Sequence, residues 1–273
     1  MVYHLPALKN GKNPIYSETN MKLFDLSGQT ALVTGSSMGI GFALARGLAE
    51  AGARIVLNAR NAERLEGARK ALSEEGYQVD TLSFDVTNPD EVRAAIDGYE
   101  LAKGPVTILI NNAGMQFRTP LDEFPIDTFD TLMRTNVNSL FYVSQAVARH
   151  MITRRYGKIV NIASVQTAMA RPGIAPYTAS KGAVANLTKG MATDWAKHGL
   201  TCNAIAPGYF DTPLNAALVA DPEFCTWIEK RTPTGRWGQI DELVGACVFL
   251  TSNASTFVNG QTLFVDGGMT ACL

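Results

Sequence analysis

One stretch near the start of the chain decides the fold: Thr30-Ala-Leu-Val-Thr34 followed by Gly35-Ser-Ser-Met-Gly39-Ile-Gly41. The first five residues form a short apolar run that predicts a β-strand, and an amphipathic helix is expected from Phe42 to Ala51. A strand, a glycine-rich turn and a helix in this order place backbone amides where a helix N-terminus receives a phosphate. Glycine permits the tight turn and the close approach of a pyrophosphate to the backbone. The stretch therefore predicts a dinucleotide-binding turn, with candidate residues Gly35, Ser36, Ser37, Gly39, Ile40 and Gly41.

The same turn also fits the nucleophile elbow of hydrolases, because Gly35-Ser-Ser37-Met-Gly39 matches the G-x-S-x-G pattern. An elbow needs a later acid and then a histidine, which Asp85 and His198 supply in that order. However, an elbow normally follows several strands, whereas this turn follows the first strand of the domain. The dinucleotide turn is therefore the preferred interpretation.

Strands and helices alternate along the rest of the chain. Further strands are expected at Arg54–Asn58, Val79–Phe84, Val106–Ile110, Lys158–Ile162, Thr201–Ala206 and Thr262–Val265. Helices are expected at Ala62–Glu75, Pro89–Ala102, Asp127–Thr135, Asn138–Arg154, Tyr177–Lys197 and Asp241–Ser252. This alternation predicts an α/β fold, with a doubly wound parallel sheet and helices on both faces. We expect one domain over residues 24–273 that includes a substrate-binding C-terminal segment, preceded by a flexible polar arm at residues 1–23.

Composition and charge narrow the classes of partner. The 273 residues are 46% hydrophobic and 18% charged, and the formal net charge is -1. A chain so close to neutral gives no indication of a nucleic-acid or membrane-surface partner. The four cysteines and three histidines are scattered without metal-ligand spacing, so neither a metal site nor a disulfide framework is expected. Because no apolar run reaches the length of a membrane span and no signal-peptide pattern is visible, we expect a cytoplasmic protein.

The end of the second strand bears on the choice of coenzyme. In dinucleotide-binding folds an acid at this point bonds the 2′-hydroxyl of the adenosine ribose, and a nearby arginine accommodates a 2′-phosphate. Here Ala59 stands in the place of the acid and Arg60 follows it. The pattern favours NADP(H). NAD(H) is the alternative, in which case Arg60 only caps solvent-facing backbone.

A second stretch, Tyr177-Thr-Ala-Ser-Lys181, places a phenol and an ammonium group on one face of a predicted helix. A phenol keeps its proton up to a pH of about 10, and moving that proton at neutral pH requires a pKa lower by about three units, or roughly 4 kcal/mol. One unit charge about 4 Å away supplies roughly 4 kcal/mol at an effective dielectric of about 20. We therefore expect Lys181 to lower the pKa of Tyr177. A lone pair of this spacing is common by chance, so its meaning depends on the rest of the chain.

Three motifs in chain order carry a family resemblance: Thr34-Gly35-x-x-x-Gly39-x-Gly41, Asn111-Asn112-Ala113-Gly114 and Tyr177-x-x-x-Lys181. Together they resemble the short-chain dehydrogenase/reductase family, and the similarity runs from about Leu23 to the C-terminus. The resemblance implies a Rossmann-type sheet of about seven strands in the order 3-2-1-4-5-6-7. It also implies an oxidoreductase that interconverts a secondary alcohol and a ketone with a nicotinamide coenzyme. A homotetramer, built partly from the helices Asn138–Arg154 and Tyr177–Lys197, is implied as well.

The family pattern implies roles for individual residues. Tyr177 resembles the general acid and base, Lys181 the cation beside it, and Ser164 the hydroxyl that bonds the substrate oxygen. Asn136 resembles the residue that orders a water beside the lysine. The implied coenzyme contacts outside the glycine turn are Arg60, Asn61, Asp85, Val86, Asn112, Ala113, Gly114, Tyr177, Lys181, Pro207, Gly208, Tyr209 and Thr212. NADP(H)-using relatives often carry a basic residue in the glycine turn, at the position that Met38 holds here.

Within the family, several stretches resemble the gluconate 5-dehydrogenases, which interconvert D-gluconate and 5-keto-D-gluconate. They are Gly114-Met-Gln116-Phe-Arg118, Ser164-Val-Gln166, Ala206-Pro-Gly-Tyr-Phe210, Lys230-Arg-Thr-Pro233, Arg236-Trp-Gly238 and Phe257-Val-Asn-Gly260. The candidate substrate residues are Gln116, Arg118, Ser164, Gln166, Arg171, Tyr177 and Tyr209. Lys230 and Arg231 are further candidate cations for a substrate carboxylate. Phe117 replaces a frequent second arginine and Thr167-Ala168 a frequent Ser-Glu pair, so a less polar pocket is expected.

Two other functions remain open on the sequence. A 3-oxoacyl-thioester reductase of the same family would use the same catalytic residues and would also favour a basic rim. A non-catalytic dinucleotide-sensing protein would share the fold, but such proteins usually lose the tyrosine or the lysine. Here Asn136, Ser164, Tyr177 and Lys181 are all present.

Overall fold

The computed structural model describes residues 22–273, which fold around one seven-stranded sheet. The strands are β1 (Thr30–Val33), β2 (Arg54–Asn58), β3 (Val79–Leu82), β4 (Ile108–Asn111), β5 (Gly157–Ile162), β6 (Leu200–Pro207) and β7 (Thr262–Val265). Neighbouring strands all pair in parallel, in the spatial order β3-β2-β1-β4-β5-β6-β7. The predicted fold and strand order are therefore confirmed. The predicted arm at residues 1–23 lies outside the described residues, apart from Lys22 and Leu23 in a 3-10 turn at Lys22–Phe24.

Helices cover the sheet. They are α1 (Gly39–Glu50), α2 (Ala62–Glu74), α3 (Pro89–Lys103), α4 (Ile126–Met133), α5 (Ser139–Arg154), α6 (Ala175–Trp195), α7 (Ala216–Val219), α8 (Pro222–Arg231) and α9 (Val244–Thr251). The sequence predicts a break between the fourth and fifth helices near Asn136, but a π-turn at Arg134–Asn138 joins α4 to α5. Such turns widen a helix locally and are frequent at functional sites. No helix in the described part of the chain is both long enough and apolar enough to cross a membrane.

The sheet separates two hydrophobic cores. Leu32 and Leu109 point into one core, which holds apolar side chains of α3, α5 and α6. Val33 and Ile110 point into the other, which holds side chains of α1, α2 and α9. Successive side chains of a strand face opposite sides of the sheet, so a strand buried on both faces needs an uninterrupted apolar run. This is why Ala31-Leu32-Val33 and Ile108-Leu109-Ile110 are apolar throughout.

The strand order reverses at the middle of the sheet. Strand β1 pairs with β2 on one side and with β4 on the other, so the chain crosses over β1 and β2 after β3. At such a reversal the loops beyond the carboxyl ends of the two central strands diverge and leave a crevice, where open α/β sheets bind their ligands. The fold therefore places the glycine turn after β1 and the loop after β4 on the two sides of one crevice.

Two glycines of the turn after β1 are required by close packing. Gly35 has a φ of +61°, which disfavours other residues, and a Cβ there would lie 3.0 Å from the Cα of Ala113. A Cβ on Gly41 would overlap the side chain of Asn112 and the carbonyl of Gly35. Because Ala113 and Asn112 belong to the loop after β4, these glycines allow the two loops to touch.

We expect Gly41→Ala to lower the free energy of unfolding by roughly 1–3 kcal/mol, because the new methyl group must push Asn112 away from the turn. Gly67→Ala is the matched control, since a Cβ on Gly67 in α2 meets no atom within 4 Å. Alanine there should raise helix stability by up to about 1 kcal/mol. Denaturant unfolding measures both changes. If Gly41→Ala proved as stable as Gly67→Ala, the packing argument would be wrong.

Candidate active site

A cleft of about 620 Å³ opens at the carboxyl ends of the strands. Its walls come from the glycine turn, the ends of β2 to β6 and the start of α6. All but one of the predicted coenzyme residues line it: Gly35, Ser37, Gly39, Ile40, Gly41, Arg60, Asn61, Asp85, Val86, Asn112, Ala113, Gly114, Tyr177, Lys181, Pro207, Gly208, Tyr209 and Thr212. Every predicted substrate residue lines it too: Gln116, Arg118, Ser164, Gln166, Arg171, Tyr177 and Tyr209. One cleft therefore brings both predicted sets together.

Ser36 is the exception among the predicted coenzyme residues. It is fully buried, and its hydroxyl donates to the carbonyl of Val33 at 2.7 Å and accepts from the N–H of Asn58 at 3.0 Å. The Asn58 side chain in turn donates to the carbonyls of Leu82 and Phe84. Ser36 thus holds the ends of β1 and β2 together beneath the turn and does not face the cleft.

Thr34 and Asn112 clamp the loop after β4 to the glycine turn. The Thr34 hydroxyl accepts hydrogen bonds from the N–H groups of Asn112 and Ala113, at 3.0 and 3.1 Å. The Asn112 side-chain amide donates to the carbonyls of Thr34 and Gly35, both at 3.0 Å. Because these carbonyls are bonded from behind and no Cβ fills the space at Gly35 or Gly41, the turn forms an open cradle. A cradle of this kind fits the pyrophosphate of a dinucleotide.

Two arginines stand where β2 ends. Arg60 Nη1 lies 3.5 Å from the carboxylate of Asp85, and Arg64, in the first turn of α2, donates to Sδ of Met38 at 3.8 Å. Burial works against ionisation of Asp85, but hydrogen bonds from Thr87 and the charge of Arg60 give a net lowering of its pKa. With Ala59 in the place of an acid, this end of the cleft has two cations against one carboxylate.

Asn136 lies on the π-turn and is buried beside the cleft rather than lining it. Its side-chain oxygen accepts from the N–H of Met115 at 2.8 Å, and its amide donates to the carbonyl of Met115 and the hydroxyl of Ser180, at 2.9 and 3.1 Å. Both amide hydrogens are thus used by protein groups, so the side chain has none left to donate to a water. In this structure Asn136 joins the loop after β4 to helix α6.

Ser164, Tyr177 and Lys181 meet on the wall of the cleft. Ser164 follows the end of β5, while Tyr177 and Lys181 are one turn apart near the start of α6. The Lys181 ammonium lies 5.6 Å from the centre of the Tyr177 ring and donates to the carbonyl of Ile162 at 2.7 Å. Lys181 is buried, and burial lowers its pKa to about 8.

The prediction that Lys181 lowers the pKa of Tyr177 is not what the structure shows. Burial is the largest influence on the phenol and raises its pKa to about 12. The neighbouring Ser164 hydroxyl and the Arg118 guanidinium favour ionisation, while Tyr209 opposes it. The expectation counted the charge of the ammonium but not the cost of burying a phenolate, which is the larger effect here. The phenol therefore holds its proton firmly at neutral pH.

A second pair of arginines faces the cleft near Tyr177. Arg118 donates to the side-chain oxygens of Gln116 and Asn215, at 3.2 and 3.3 Å, and Arg171 stacks on the ring of Phe224 at 5.3 Å. Neither guanidinium pairs with a carboxylate among the described residues. Burial, followed by repulsion from Arg171, lowers the pKa of Arg118. The buried Nε atoms of both arginines also lack a hydrogen-bond partner in the described part of the chain. The two guanidinium groups at this end of the cleft can therefore bind an anion.

Comparison with known proteins identifies the family. A family model described as enoyl-(acyl carrier protein) reductase, which belongs to the short-chain dehydrogenases/reductases, matches residues 35–270. The chain belongs to the short-chain dehydrogenase/reductase family. The predicted family is thereby confirmed.

Similar proteins include two curated enzymes and a crystal structure. Gluconate 5-dehydrogenase of Gluconobacter oxydans is 62% identical over 251 residues, covering 92% of this chain and 98% of that protein. 5-Keto-D-gluconate 5-reductase of Escherichia coli K12 is 50% identical over 247 residues, covering 90% and 97%. The structure of a gluconate 5-dehydrogenase from Burkholderia cenocepacia J2315, in complex with NADP and tartrate, has a TM-score of 0.92 at 57% identity. It covers 93% of this chain and 100% of that one.

Several other predictions about the site of this short-chain dehydrogenase/reductase are corrected by the structure. Lys230 and Arg231 do not line the cleft, and Arg231 donates to the thiol and carbonyl of Cys272 instead. Phe117 packs edge-on against Phe124 outside the cleft, and Thr167 turns its hydroxyl to the carbonyl of Lys181. Neither Phe117 nor Thr167-Ala168 lines the cleft, and the less polar pocket expected from these replacements stays a prediction.

The position of His198 also argues against the hydrolase alternative. Ser37 and Asp85 line the cleft, but His198 follows α6 directly before β6 begins, at the opposite edge of the sheet. Within residues 22–273, no histidine lines the cleft to activate the serine hydroxyl.

The sequence analysis missed two residues that the structure places on the cleft wall, Arg64 and Asn215. Arg64 had a visible signal, because it follows Arg60 by four residues at the start of a predicted helix. Asn215 lies beyond β6 in a segment with no periodicity, and only the fold brings it to Arg118.

We expect the buried ammonium of Lys181 to leave a mark on the pH dependence of stability. A lysine in an unfolded chain has a pKa of about 10.4, whereas burial lowers the pKa of Lys181 to about 8 in the folded protein. Between these values the unfolded chain binds more protons, so the stability of the wild type should rise with pH relative to Lys181→Met, by up to roughly 3 kcal/mol. Unfolding by urea at pH 7, 8, 9 and 10 measures the difference between the two proteins. A difference that stays constant over this range would show that Lys181 is not held in a buried, proton-losing environment.

Proposed function

We propose that this protein is an NADP(H)-dependent oxidoreductase that interconverts D-gluconate and 5-keto-D-gluconate. The observation that carries the proposal is one cleft that Tyr177 shares with Arg118 and Arg171, two half-buried cations without a carboxylate partner among the described residues. A sugar acid supplies the two groups that this arrangement lacks, a carboxylate for the arginines and a carbonyl or hydroxyl for the phenol. The similar proteins from Gluconobacter oxydans and Escherichia coli K12, named for gluconate and its 5-keto acid, support the same assignment.

Two residues of the chain, Tyr177 and Ser164, act directly on the reacting oxygen. When bound, the nicotinamide coenzyme supplies or accepts the hydride. Tyr177 donates a proton to the substrate oxygen during reduction, which suits a phenol with a pKa of about 12 that is fully protonated at neutral pH. Ser164 donates a hydrogen bond to the same oxygen as negative charge develops there.

Lys181 and Asn136 support the phenol. The Lys181 ammonium is fixed by the carbonyl of Ile162 and places a positive charge 5.6 Å from the ring centre of Tyr177, which favours the phenolate formed when Tyr177 gives up its proton. Asn136 acts as a positioning residue, because it joins Met115 on the cleft wall to Ser180. Ser180 in turn donates to the carbonyl of Tyr177 at 2.7 Å. These bonds fix the start of α6 against the loop after β4.

Polar groups around the arginines suit the hydroxyls of a sugar acid. Gln116, Gln166 and Tyr209 line the same cleft as the arginines and Tyr177. Gln166 Nε2 lies 3.4 Å from the Tyr209 hydroxyl, and its buried Oε1 has no partner among the described residues. A substrate hydroxyl would satisfy that oxygen. A thioester substrate would leave it unpaired, so the structure favours the sugar acid over a 3-oxoacyl thioester.

Preference for NADP(H) rests on the arginines at the end of β2. Arg60 and Arg64 stand there with Ala59 in place of an acid, and a 2′-phosphate would neutralise them. The Burkholderia cenocepacia relative was crystallised with NADP. The complete set of Asn136, Ser164, Tyr177 and Lys181 also argues against a non-catalytic sensing role.

We further propose a cytoplasmic homotetramer. Ile126, Phe129 and Phe141 expose 78%, 40% and 41% of their surface on α4 and α5, a larger apolar exposure than a helix facing only solvent needs. Strand β7 is an edge of the sheet and exposes Leu263. Pairing between copies across such surfaces would cover both, and light scattering of the purified protein measures the assembly directly.

We expect Tyr177→Phe to reduce turnover of 5-keto-D-gluconate with NADPH by roughly 10²–10⁴-fold, because it removes the transferred proton. Affinity for NADPH should change little, as measured by coenzyme fluorescence. Tyr156→Phe is the control, because it removes a phenol that lies outside the cleft. Near-normal turnover in Tyr177→Phe would contradict the assignment.

Removal of Arg171 tests the carboxylate site. We expect Arg171→Ala to raise the KM for 5-keto-D-gluconate by roughly 30-fold, corresponding to about 2 kcal/mol for a charge-assisted hydrogen bond. The rate with D-fructose, an uncharged ketose, should change little. Arg231→Ala is the matched control, because Arg231 lies outside the cleft. Equal losses for the charged and uncharged ketones would show that Arg171 does not read the carboxylate.

A further inference from the structure

A 3-10 turn at Pro213–Asn215, which follows β6, forms part of the cleft wall. From this turn the side-chain oxygen of Asn215 accepts a hydrogen bond from Nη2 of Arg118 at 3.3 Å. Arg118 belongs to the loop after β4, and 97 residues of chain separate the two side chains. The contact therefore ties two distant segments of the cleft wall together.

The surrounding protein fixes the orientation of the Asn215 amide. Its Nδ2 donates to the carbonyl of Phe210 at 3.0 Å. Phe210 is buried, its backbone forms a bridge to Gly238, and a Cβ on Gly238 would overlap its ring. A carbonyl can only accept a hydrogen bond and a guanidinium can only donate one, so a single amide orientation satisfies both neighbours of Asn215. The amide oxygen is thus held towards Arg118.

Neutral amides hold Arg118 without neutralising it. Its Nη2 also donates to the side-chain oxygen of Gln116 at 3.2 Å, and it forms no ion pair within residues 22–273. Both hydrogen bonds fall on Nη2, so Nη1 and the buried Nε have no acceptor in this part of the chain. An amide restricts the rotation of the guanidinium, whereas a carboxylate at the same place would form a charge-assisted pair with it. The charge of Arg118 therefore stays available to a ligand.

We propose that Asn215 is a positioning residue that orients Arg118 for the substrate carboxylate and, because it is an amide, leaves the charge of Arg118 free. This proposal rests on the proposed function and adds to it a residue outside the set assigned there. Asparagine at position 215 then contributes to specificity for anionic substrates, since an aspartate would bind Arg118 itself and compete with the substrate.

The first test is a double-mutant cycle on kcat/KM for reduction of 5-keto-D-gluconate with NADPH. We expect Asn215→Ala to lower kcat/KM roughly fivefold, mainly through KM, because Arg118 loses a hydrogen bond that orients it. In an Arg118→Ala background the same substitution should change kcat/KM by less than about twofold, since Asn215 acts through Arg118. Affinity for NADPH should stay the same in both backgrounds. An equal loss of kcat/KM in both backgrounds would show a structural role in the turn and overturn the proposal.

Aspartate tests whether the charge of Arg118 must stay free. Neither aspartate nor alanine can replace the hydrogen bond from Asn215 to the Phe210 carbonyl, so the difference between the two variants reports the added carboxylate. We expect Asn215→Asp to raise the KM for 5-keto-D-gluconate roughly 30-fold, well beyond the effect of alanine. Asn253→Asp is the matched control, because Asn253 is exposed and lies outside the cleft.

Two further outcomes are distinct. An Asn215→Asp variant with a KM no higher than that of Asn215→Ala would overturn the proposal, because the charge of Arg118 would then not need to be free. Failure of the unsubstituted protein to reduce 5-keto-D-gluconate would instead reject the proposed function itself.

Discussion

The structure depends on a single buried hydrogen bond between Lys181 on α6 and the carbonyl of Ile162 at the end of β5. It fixes the helix that carries Tyr177 to the strand that ends just before Ser164, so that the three side chains meet on one wall. A buried ammonium is costly, and the lowered pKa of Lys181 reflects that cost. The hydrogen bonds of Asn136 to Met115 and Ser180 brace the same helix from the other side. The position of Tyr177 is thus set by buried polar contacts rather than by packing alone.

Uncompensated positive charge is the common feature of the two ends of the cleft. Arg60 and Arg64 stand at one end, and Arg118 and Arg171 at the other, with Asp85 as the only carboxylate paired to any of them in the described residues. Burial, followed by repulsion from Arg171, lowers the pKa of Arg118. A folded chain tolerates this arrangement when ligands bring the missing negative charge. A coenzyme phosphate and a substrate carboxylate would together supply this negative charge. A negatively charged cleft would repel both of them.

Much of this arrangement could be predicted from the sequence. There is a physical reason why the remaining parts could not be predicted. Apolar runs such as Val106–Ile110 identify strands because both faces of a parallel sheet are buried, and strand ends then locate Asn112 and Ser164. Other features depend on tertiary contacts that no local sequence pattern records. They are the inward orientation of Ser36, the π-turn that contains Asn136 and the placement of Arg231 away from the cleft. The pKa of Tyr177 went the other way from the prediction because burial, which spacing cannot show, outweighs the neighbouring charge.

A crystal structure of the protein with NADP and D-gluconate tests the central claim most directly, namely that Ser164 and Tyr177 hold one substrate oxygen while the arginines hold the carboxylate. We expect the C5 hydroxyl oxygen within hydrogen-bonding distance, about 2.6–3.2 Å, of both Tyr177 Oη and Ser164 Oγ. The carboxylate should then contact Arg118 or Arg171. A gluconate bound with its carboxylate at Tyr177, or with C5 away from both hydroxyls, would contradict the claim.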